Sequence, residues 1–204
     1  MTVDSGNAPC VFTKDDSYSD VLTLACCKGG LRGVRRTIGI NHKDKIESGE
    51  REVFLFGIYN KNYLLYIAKV TEVLKYAEYF SNHSKYKKQR DQIYNYRDGE
   101  CHRNNTNKLF HPKEMKDLHI VDESGEYVLA SNSFAYFGKD CKRIDASLIS
   151  ELHKGIGHKP YYDCDDIYNN IVKYIKTVWD FNTIIVCEPN DPLKNENDRG
   201  CKQK

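Results

Sequence analysis

Several familiar signatures are missing from the 204-residue sequence, and each absence excludes a class of protein. No apolar run is long enough to span a membrane, and the opening stretch MTVDSGNAPC lacks the apolar core of a secretory signal peptide. No Walker loop, G-x-S-x-G elbow or G-x-G-x-x-G fingerprint occurs. We therefore expect a cytoplasmic protein that contacts no membrane, with no cofactor and no catalytic motif of these kinds.

Aromatic composition is uneven, with 15 tyrosines and a single tryptophan. Tyrosine rings can stack on bases, but they fill half-buried strands equally well. The formal net charge of +2 is too small to indicate nucleic-acid binding, so the distribution of charge matters more than its sum. With 40% hydrophobic and 29% charged residues, a chain of this length is predicted to form one folded domain. Without export signals, the eight cysteines are expected to be reduced thiols.

The first half of the chain is predicted to be rich in strands. VLTLACC (21–27) suits a strand buried on both faces, and the apolar runs 53–59 and 63–73 flank a short polar turn, as in a hairpin. The charged stretch 41–52 is predicted to be an exposed loop. EVLKYAEYF (72–80) changes to helical spacing and is predicted to form a short helix.

The second half is predicted to add strands and then helices. Residues 81–117 form a long polar loop, which is either functional or disordered. Strands are predicted over 118–122 and 126–138, and helices over 145–155 and 165–179.

These patterns together predict a single α+β domain over residues 1–188, followed by a polar tail over 189–204. The sheet is expected to be rich in hairpins, with strands first and helices near the C-terminus.

Cys26 and Cys27 could be metal ligands, a nucleophile or core residues. Adjacent strand residues point to opposite faces and no C-x-x-C pair occurs, so no metal site is predicted. Basic neighbours could lower the pKa of a thiol, although a cysteine in an apolar strand is most often a small core residue. Cys26 is retained as a candidate nucleophile. His102, near Asp98 and Glu100, is retained as a candidate general base.

Two basic stretches suit phosphate binding. Lys28-Gly29-Gly30, followed by arginines, is typical of an anion-binding turn, with a solvated basic turn as the alternative. Residues 84–103 interleave lysines and arginines with tyrosines, a combination that suits a phosphate backbone carrying unpaired bases. A solvated loop whose tyrosines fold back on the core is the alternative.

Several short stretches follow one another in a recognisable order: LTLACCK followed by Leu31 and Arg32, VFLFGIY with LLYIAKVTEVLKYAEYF, DQIYNY, and VLASNSFAYFG. Their order resembles the nucleotide-modification-associated domain of the second type, over roughly residues 8–140. That family is named from bacterial and phage genes lying near DNA-modification systems. The resemblance implies a link to nucleic acid and to phage or mobile elements, rather than a reaction.

The charged segment 41–52 departs from the family, which has a Gly-Asp-Trp-like entry into the second strand. More distantly, YLLYIAKVTEVLKYAEYF (63–80) resembles an element of the barrel domains of the PUA and EVE kind, which read modified bases. This resemblance implies a partly barrel-like, PUA-like sheet. The residues that match motifs of the nucleotide-modification-associated family form three groups: Thr23, Cys26, Lys28 and Arg32; then Gln92, Ile93 and Tyr94; then Ser131, Phe134, Tyr136, Phe137 and Gly138.

Three functions follow from these observations. The first is a module that binds nucleic acid (DNA rather than RNA), a nucleotide or one modified base. The second is an enzyme acting on nucleotides or bases through Cys26 or His102. The third is a phage or mobile-element module that binds a protein partner. In the nucleic-acid-binding module, phosphates would be held by Lys28, Arg32, Arg35 and Arg36. Bases would stack on Tyr94, Tyr96, Phe134 and Tyr136, and a base edge would be read by Ser131 and Asn132.

Overall fold

The chain forms two packed sheets, a separate hairpin and four helices within the residues that the computed structural model describes, namely 8–26, 33–59, 62–81, 85–104, 122–152 and 159–190. The strands are β1 Cys10–Phe12, β2 Tyr18–Leu24, β3 Phe54–Tyr59, β4 Tyr63–Lys69, β5 Glu72–Lys75, β6 Tyr94–Arg97, β7 Glu100–Arg103, β8 Tyr127–Ser131, β9 Ser133–Tyr136, β10 Lys142–Arg143 and β11 Ile185–Val186. The helices are α1 Val34–Glu47, α2 Tyr76–Tyr79, α3 Ala146–Leu152 and α4 Asp166–Val178, with a 3₁₀ turn at Gly138–Asp140.

The first sheet has the strand order β1-β2-β8-β5, and all of its neighbours are antiparallel. In the second sheet β4 pairs with β3, β9 and β10, and β11 adds a parallel edge to β9. Strands β6 and β7 form a hairpin of their own. Within the described ranges both sheets remain open, and neither closes into a barrel.

Alternating apolar side chains allow each sheet to be covered on both faces. On β8, Leu129 belongs to the core between the two sheets, whereas Val128 and Ala130 face a second cluster on the outer side of the first sheet. Most of the residues that pack on Val128 and Ala130 in that outer cluster lie within 74–96, together with Ala25 and Cys26. Helices α3 and α4 cover the outer side of the second sheet. We call the side of the first sheet that faces away from the second sheet its outer face.

The α+β class and the hairpin-rich strands are confirmed, but the helices are not confined to the C-terminal part, because α1 lies between β2 and β3. The predicted hairpin is formed by β3 and β4, and the strands predicted over 126–138 are formed by β8 and β9. The helices predicted over 145–155 and 165–179 correspond to α3 and α4. No helix in the described ranges has the length and apolar character that crossing a membrane requires.

Three local predictions need correction. The loop predicted at 41–52 is wrong over residues 41–47, because α1 extends to Glu47 and buries Ile46, whereas residues 48–52 do lie outside the helices and strands. The predicted helix at 72–80 is wrong in its first half, where β5 pairs with β8, so that only α2 is helical. Within the long predicted loop, the described residues carry the β6–β7 hairpin.

Several predicted segments lie wholly or partly outside the described residues. Among these are Lys28-Gly29-Gly30 of the predicted anion-binding turn, 82–84 and 105–117 of the long loop, 118–121 of the predicted strand, 153–155 of the predicted helix and 191–204 of the predicted tail. The first residues of that tail are described and are attached to the domain: Pro189 is buried, and Asn190 Nδ2 donates to the Gly138 carbonyl at 2.6 Å.

Candidate functional site

Residues 85–93 lie against the β1–β2 hairpin and over the outer face of the first sheet. Gln89 forms a bridge with Thr13, and its side-chain Nε2 donates to Ser19 Oγ at 2.8 Å and to the Val21 carbonyl at 3.0 Å. The Arg90 amide donates to the Phe12 carbonyl at 3.0 Å. The segment is therefore fixed to the sheet by both backbone and side-chain hydrogen bonds.

Asp91 anchors the end of this segment. Its side chain is buried, Tyr79 Oη donates to Oδ1 at 2.5 Å, and Thr23 Oγ1 donates to Oδ2 at 2.8 Å. The Cys26 thiol donates to the Asp91 backbone carbonyl at 3.4 Å, and Gln92 Nε2 donates to the Tyr79 carbonyl at 2.6 Å. This buried cluster brings together residues of the first and second family-like motifs, which are far apart in sequence.

Burial raises the pKa of the Asp91 carboxyl to about 6, although the hydroxyls of Tyr79 and Thr23 and the charge of Arg35 act in the opposite direction. A carboxylate in this position is desolvated, and the donated hydrogen bonds recover only part of its lost hydration. Asp91 therefore changes its charge closer to neutral pH than an exposed aspartate does.

The two arginines at the start of α1 have different surroundings. Arg35 is completely buried, and its guanidinium donates to the Tyr127 carbonyl at 2.8 Å and to the Asp122 carbonyl at 2.5 Å. This places the Arg35 guanidinium away from any phosphate in solvent, and it joins α1 to the start of β8 instead. Arg36 is half-buried, with its Nε 2.6 Å from Glu126 Oε1. Lys28 and Arg32 lie outside the described residues.

The aromatic residues predicted to stack on bases are distributed over two clusters. Phe134 and Tyr136 are fully buried between the two sheets, because β9 directs both toward that core. Tyr94 is buried on the outer face, and its hydroxyl donates to Asp122 Oδ2 at 3.0 Å. Tyr96 is half-buried and donates to the Glu123 carboxylate. The structure does not bring these four rings into one open pocket.

The two predicted base-edge readers are adjacent in sequence but differ in exposure. Ser131 is buried, and its hydroxyl donates to the Ser133 carbonyl at 2.7 Å. Asn132 is exposed, and its backbone amide donates to Thr71 Oγ1 at 3.2 Å. Of these two residues, only Asn132 is accessible to a ligand.

The two candidate catalytic residues, Cys26 and His102, have different surroundings. Cys26 is buried, and burial, followed by the charges of Asp91 and Asp122, raises the pKa of its thiol well above the ordinary value of 9.0. His102 lies exposed on β7, with its Nε2 3.9 Å from Glu100 Oε2. A thiol held in its neutral form is a poor nucleophile. No three His, Cys, Asp or Glu side chains in the described part of the chain could together hold a metal ion.

A cleft of about 400 Å³ opens beside the attached segment. Its volume falls in the range of small-molecule binding sites, which is roughly 300–1,000 Å³. Polar residues from separate parts of the chain line it: Ser19 and Asp20 of β2, Thr71 and Glu72 at the start of β5, Gln89, and Asn132 between β8 and β9. Sequence reasoning selected Asn132 but missed the others, since only the pairing of β2, β8 and β5 brings them together.

Lysines border this cleft. Residues 85–88 form a turn that we call the lysine turn, in which Lys85, Lys87 and Lys88 are exposed, and Lys85 and Lys88 line the cleft. Burial lowers the pKa of the nearby Lys14. The positive charge of Lys87 also lowers this pKa, whereas the negative charge of Asp91 raises it. The predicted basic stretch at 84–103 therefore contributes a concentrated positive patch at the rim of the cleft.

Internal hydrogen bonds fix part of the cleft wall. Glu72 Oε2 accepts from Tyr86 Oη at 2.6 Å and pairs with Lys85. The Gln89 amide is oriented by the Val21 carbonyl, which can only accept, so that Nε2 must face it. The other amide atom, Gln89 Oε1, is buried and has no hydrogen-bond partner in the described part of the chain.

These features define an α+β domain with a polar cleft next to a lysine-rich turn. The family model described as nucleotide modification associated domain 2 matches residues 1–196. The chain belongs to this family, as the order of its motifs predicts, and is associated with nucleotide modification. Comparison with curated proteins and comparison with solved structures each gave no match.

The raised pKa of Asp91 predicts a pH-dependent stability. The stabilising protonated form is fully populated below the unfolded pKa of 3.8, and its contribution is lost as pH rises through about 6. Over that interval the free energy of unfolding of the wild type should fall by an amount on the order of 2–3 kcal/mol. Asp91→Asn has no carboxyl at this position and should not show this fall. Urea denaturation at a series of pH values measures the difference between variant and wild type.

Tyr79→Phe provides the companion measurement for this titration. Its hydroxyl stabilises the ionised Asp91, so its removal should raise the Asp91 pKa further and extend the loss of stability to higher pH. Curves of identical shape for wild type and Asp91→Asn would show that Asp91 does not titrate in this way.

The buried environment of Cys26 predicts low thiol reactivity. We expect alkylation of the native protein at neutral pH to modify the exposed Cys164 at least a hundredfold faster than Cys26, because attack requires an accessible thiolate. Mass spectrometry of peptides after timed iodoacetamide treatment measures both rates, and denatured protein serves as the control. Equal native rates would restore Cys26 as a nucleophile.

Proposed function

We propose that this domain recognises nucleic acid at the lysine turn and the adjoining cleft. The observation that carries the proposal is the group of three exposed lysines in one turn, Lys85, Lys87 and Lys88, of which Lys85 and Lys88 line a polar cleft of about 400 Å³. Membership of a family associated with nucleotide modification gives the same chemical context. DNA is the expected partner, following the prediction from the sequence.

Lysine ammonium groups bind phosphates without reading sequence, and they release counterions as they do so. Lys85 now pairs with Glu72, but about two thirds of its side chain remains exposed, so a phosphate can approach its ammonium group. Lys87 and Lys88 extend the positive surface beside it. We infer that this turn supplies affinity for the nucleic-acid backbone, while the cleft contacts what lies next to the phosphate.

Replacing Lys85, Lys87 and Lys88 together with alanine should weaken oligonucleotide binding at least tenfold. Each lost phosphate contact should also reduce the slope of log affinity against log salt by about 0.7 for single strands and about 0.9 for duplexes. Fluorescence anisotropy with labelled single-stranded and double-stranded DNA, at low and physiological salt, measures both quantities.

The matched control removes three lysines elsewhere, with Lys159, Lys173 and Lys176 changed to alanine. All three are exposed, and Lys173 and Lys176 lie on α4, which covers the second sheet. The control variant should bind like wild type. Equal losses in both variants, or no loss in the lysine-turn variant, would contradict a site at the turn.

A further inference from the structure

We propose that the cleft holds one unpaired nucleobase and favours bases that carry an exocyclic amino group, such as adenine and cytosine. The inference deepens the proposed function and rests on it, since the lysine turn is what identifies the ligand as a nucleotide. Three features of the cleft support it: its position beside the lysines, its two hydrogen-bond acceptors without internal donors, and the free amide of Asn132.

The position of the cleft suits a nucleotide whose phosphate is held at its rim. Lys85 and Lys88 belong to the lysine turn and also line the cleft. A phosphate bound by either ammonium group therefore lies at the edge of the cavity, and the attached base can enter it. A base inside a duplex cannot do so while it remains stacked, so the ligand is an unpaired or extruded base.

Two acceptor groups in the cleft wall have no internal donor among the described residues. Asp20 contributes an exposed carboxylate, which can only accept when it is ionised. Gln89 uses its Nε2 on Ser19 and Val21, so that the amide oxygen Oε1 is the atom left without a partner. An exocyclic amino group supplies the donors that these oxygens lack, whereas the oxo group of uracil or hypoxanthine does not.

Asn132 adds a reader that can discriminate between bases. Its backbone amide is bound to Thr71, and its exposed side-chain amide makes no hydrogen bond to other described residues. An amide presents a donor and an acceptor side by side, and asparagine pairs in this way with the amino group and ring nitrogen of adenine. Cytosine offers the same pair of groups on its Watson–Crick edge.

Matched nucleotide pairs that differ only in the amino group provide the test. We expect titration calorimetry to give roughly tenfold tighter binding for AMP than for IMP, and for CMP than for UMP, as for one well-placed hydrogen-bonded contact. Asn132→Ala should reduce both ratios toward one. Asn41→Ala, at an exposed position on α1, is the matched control and should leave both ratios unchanged.

The outcomes separate this inference from the proposed function. Oligonucleotide binding that depends on the lysine turn, together with equal affinities within each pair, would overturn the amino-group preference and leave nucleic-acid recognition standing. A preference for AMP and CMP that Asn132→Ala abolishes, without any oligonucleotide binding, would support the base site and overturn recognition of the polymer. Ratios unaffected by Asn132→Ala would overturn its role as reader.

Discussion

The buried carboxyl of Asp91 is the constraint on which the rest of the site depends. It accepts hydrogen bonds from Thr23 on β2 and from Tyr79 on α2, and so joins three separate parts of the chain. A buried carboxyl needs such donors, because desolvation strongly disfavours its charge. These bonds fix one end of the segment that lies over the outer face of the first sheet.

The cleft and the lysine turn follow from that attachment. Gln89, two residues before Asp91, binds β2 through its side chain, and the preceding turn then projects its lysines at the rim of the cavity. Thr71 and Asn132 complete the opposite side, because β5 and β8 are neighbours in the first sheet. A polar cavity next to cations suits a nucleotide ligand, in keeping with the association of the family with nucleotide modification.

Local patterns made much of the fold predictable. The β3–β4 hairpin could be predicted because two apolar runs flank a short polar turn, and α4 because Ile171 and Ile175 recur with helical spacing. Helix α1 was missed because its charged residues outnumber the few apolar ones that pack, such as Ile38 and Ile46. Length and composition gave no sign that tertiary contacts would stabilise that helix.

The site was less predictable, because residue type does not determine which way a side chain points. Phe134 and Tyr136 suit base stacking by their chemistry, but the register of β9 turns both into the core between the sheets. Arg35 was selected as a surface cation, yet it lies on the packed side of a helix that the sequence did not reveal. The cleft unites Ser19, Thr71 and other residues that no local motif connects.

Photocrosslinking tests the location of the site most directly. Single-stranded DNA containing one bromodeoxyuridine would be irradiated with the protein, and the crosslinked peptides would be identified by mass spectrometry. We expect the crosslinks to fall within residues 85–89 and around Asn132, where the lysine turn and the cleft meet. Crosslinks confined to α3 and α4, on the far side of the second sheet, would contradict a nucleic-acid site at the cleft.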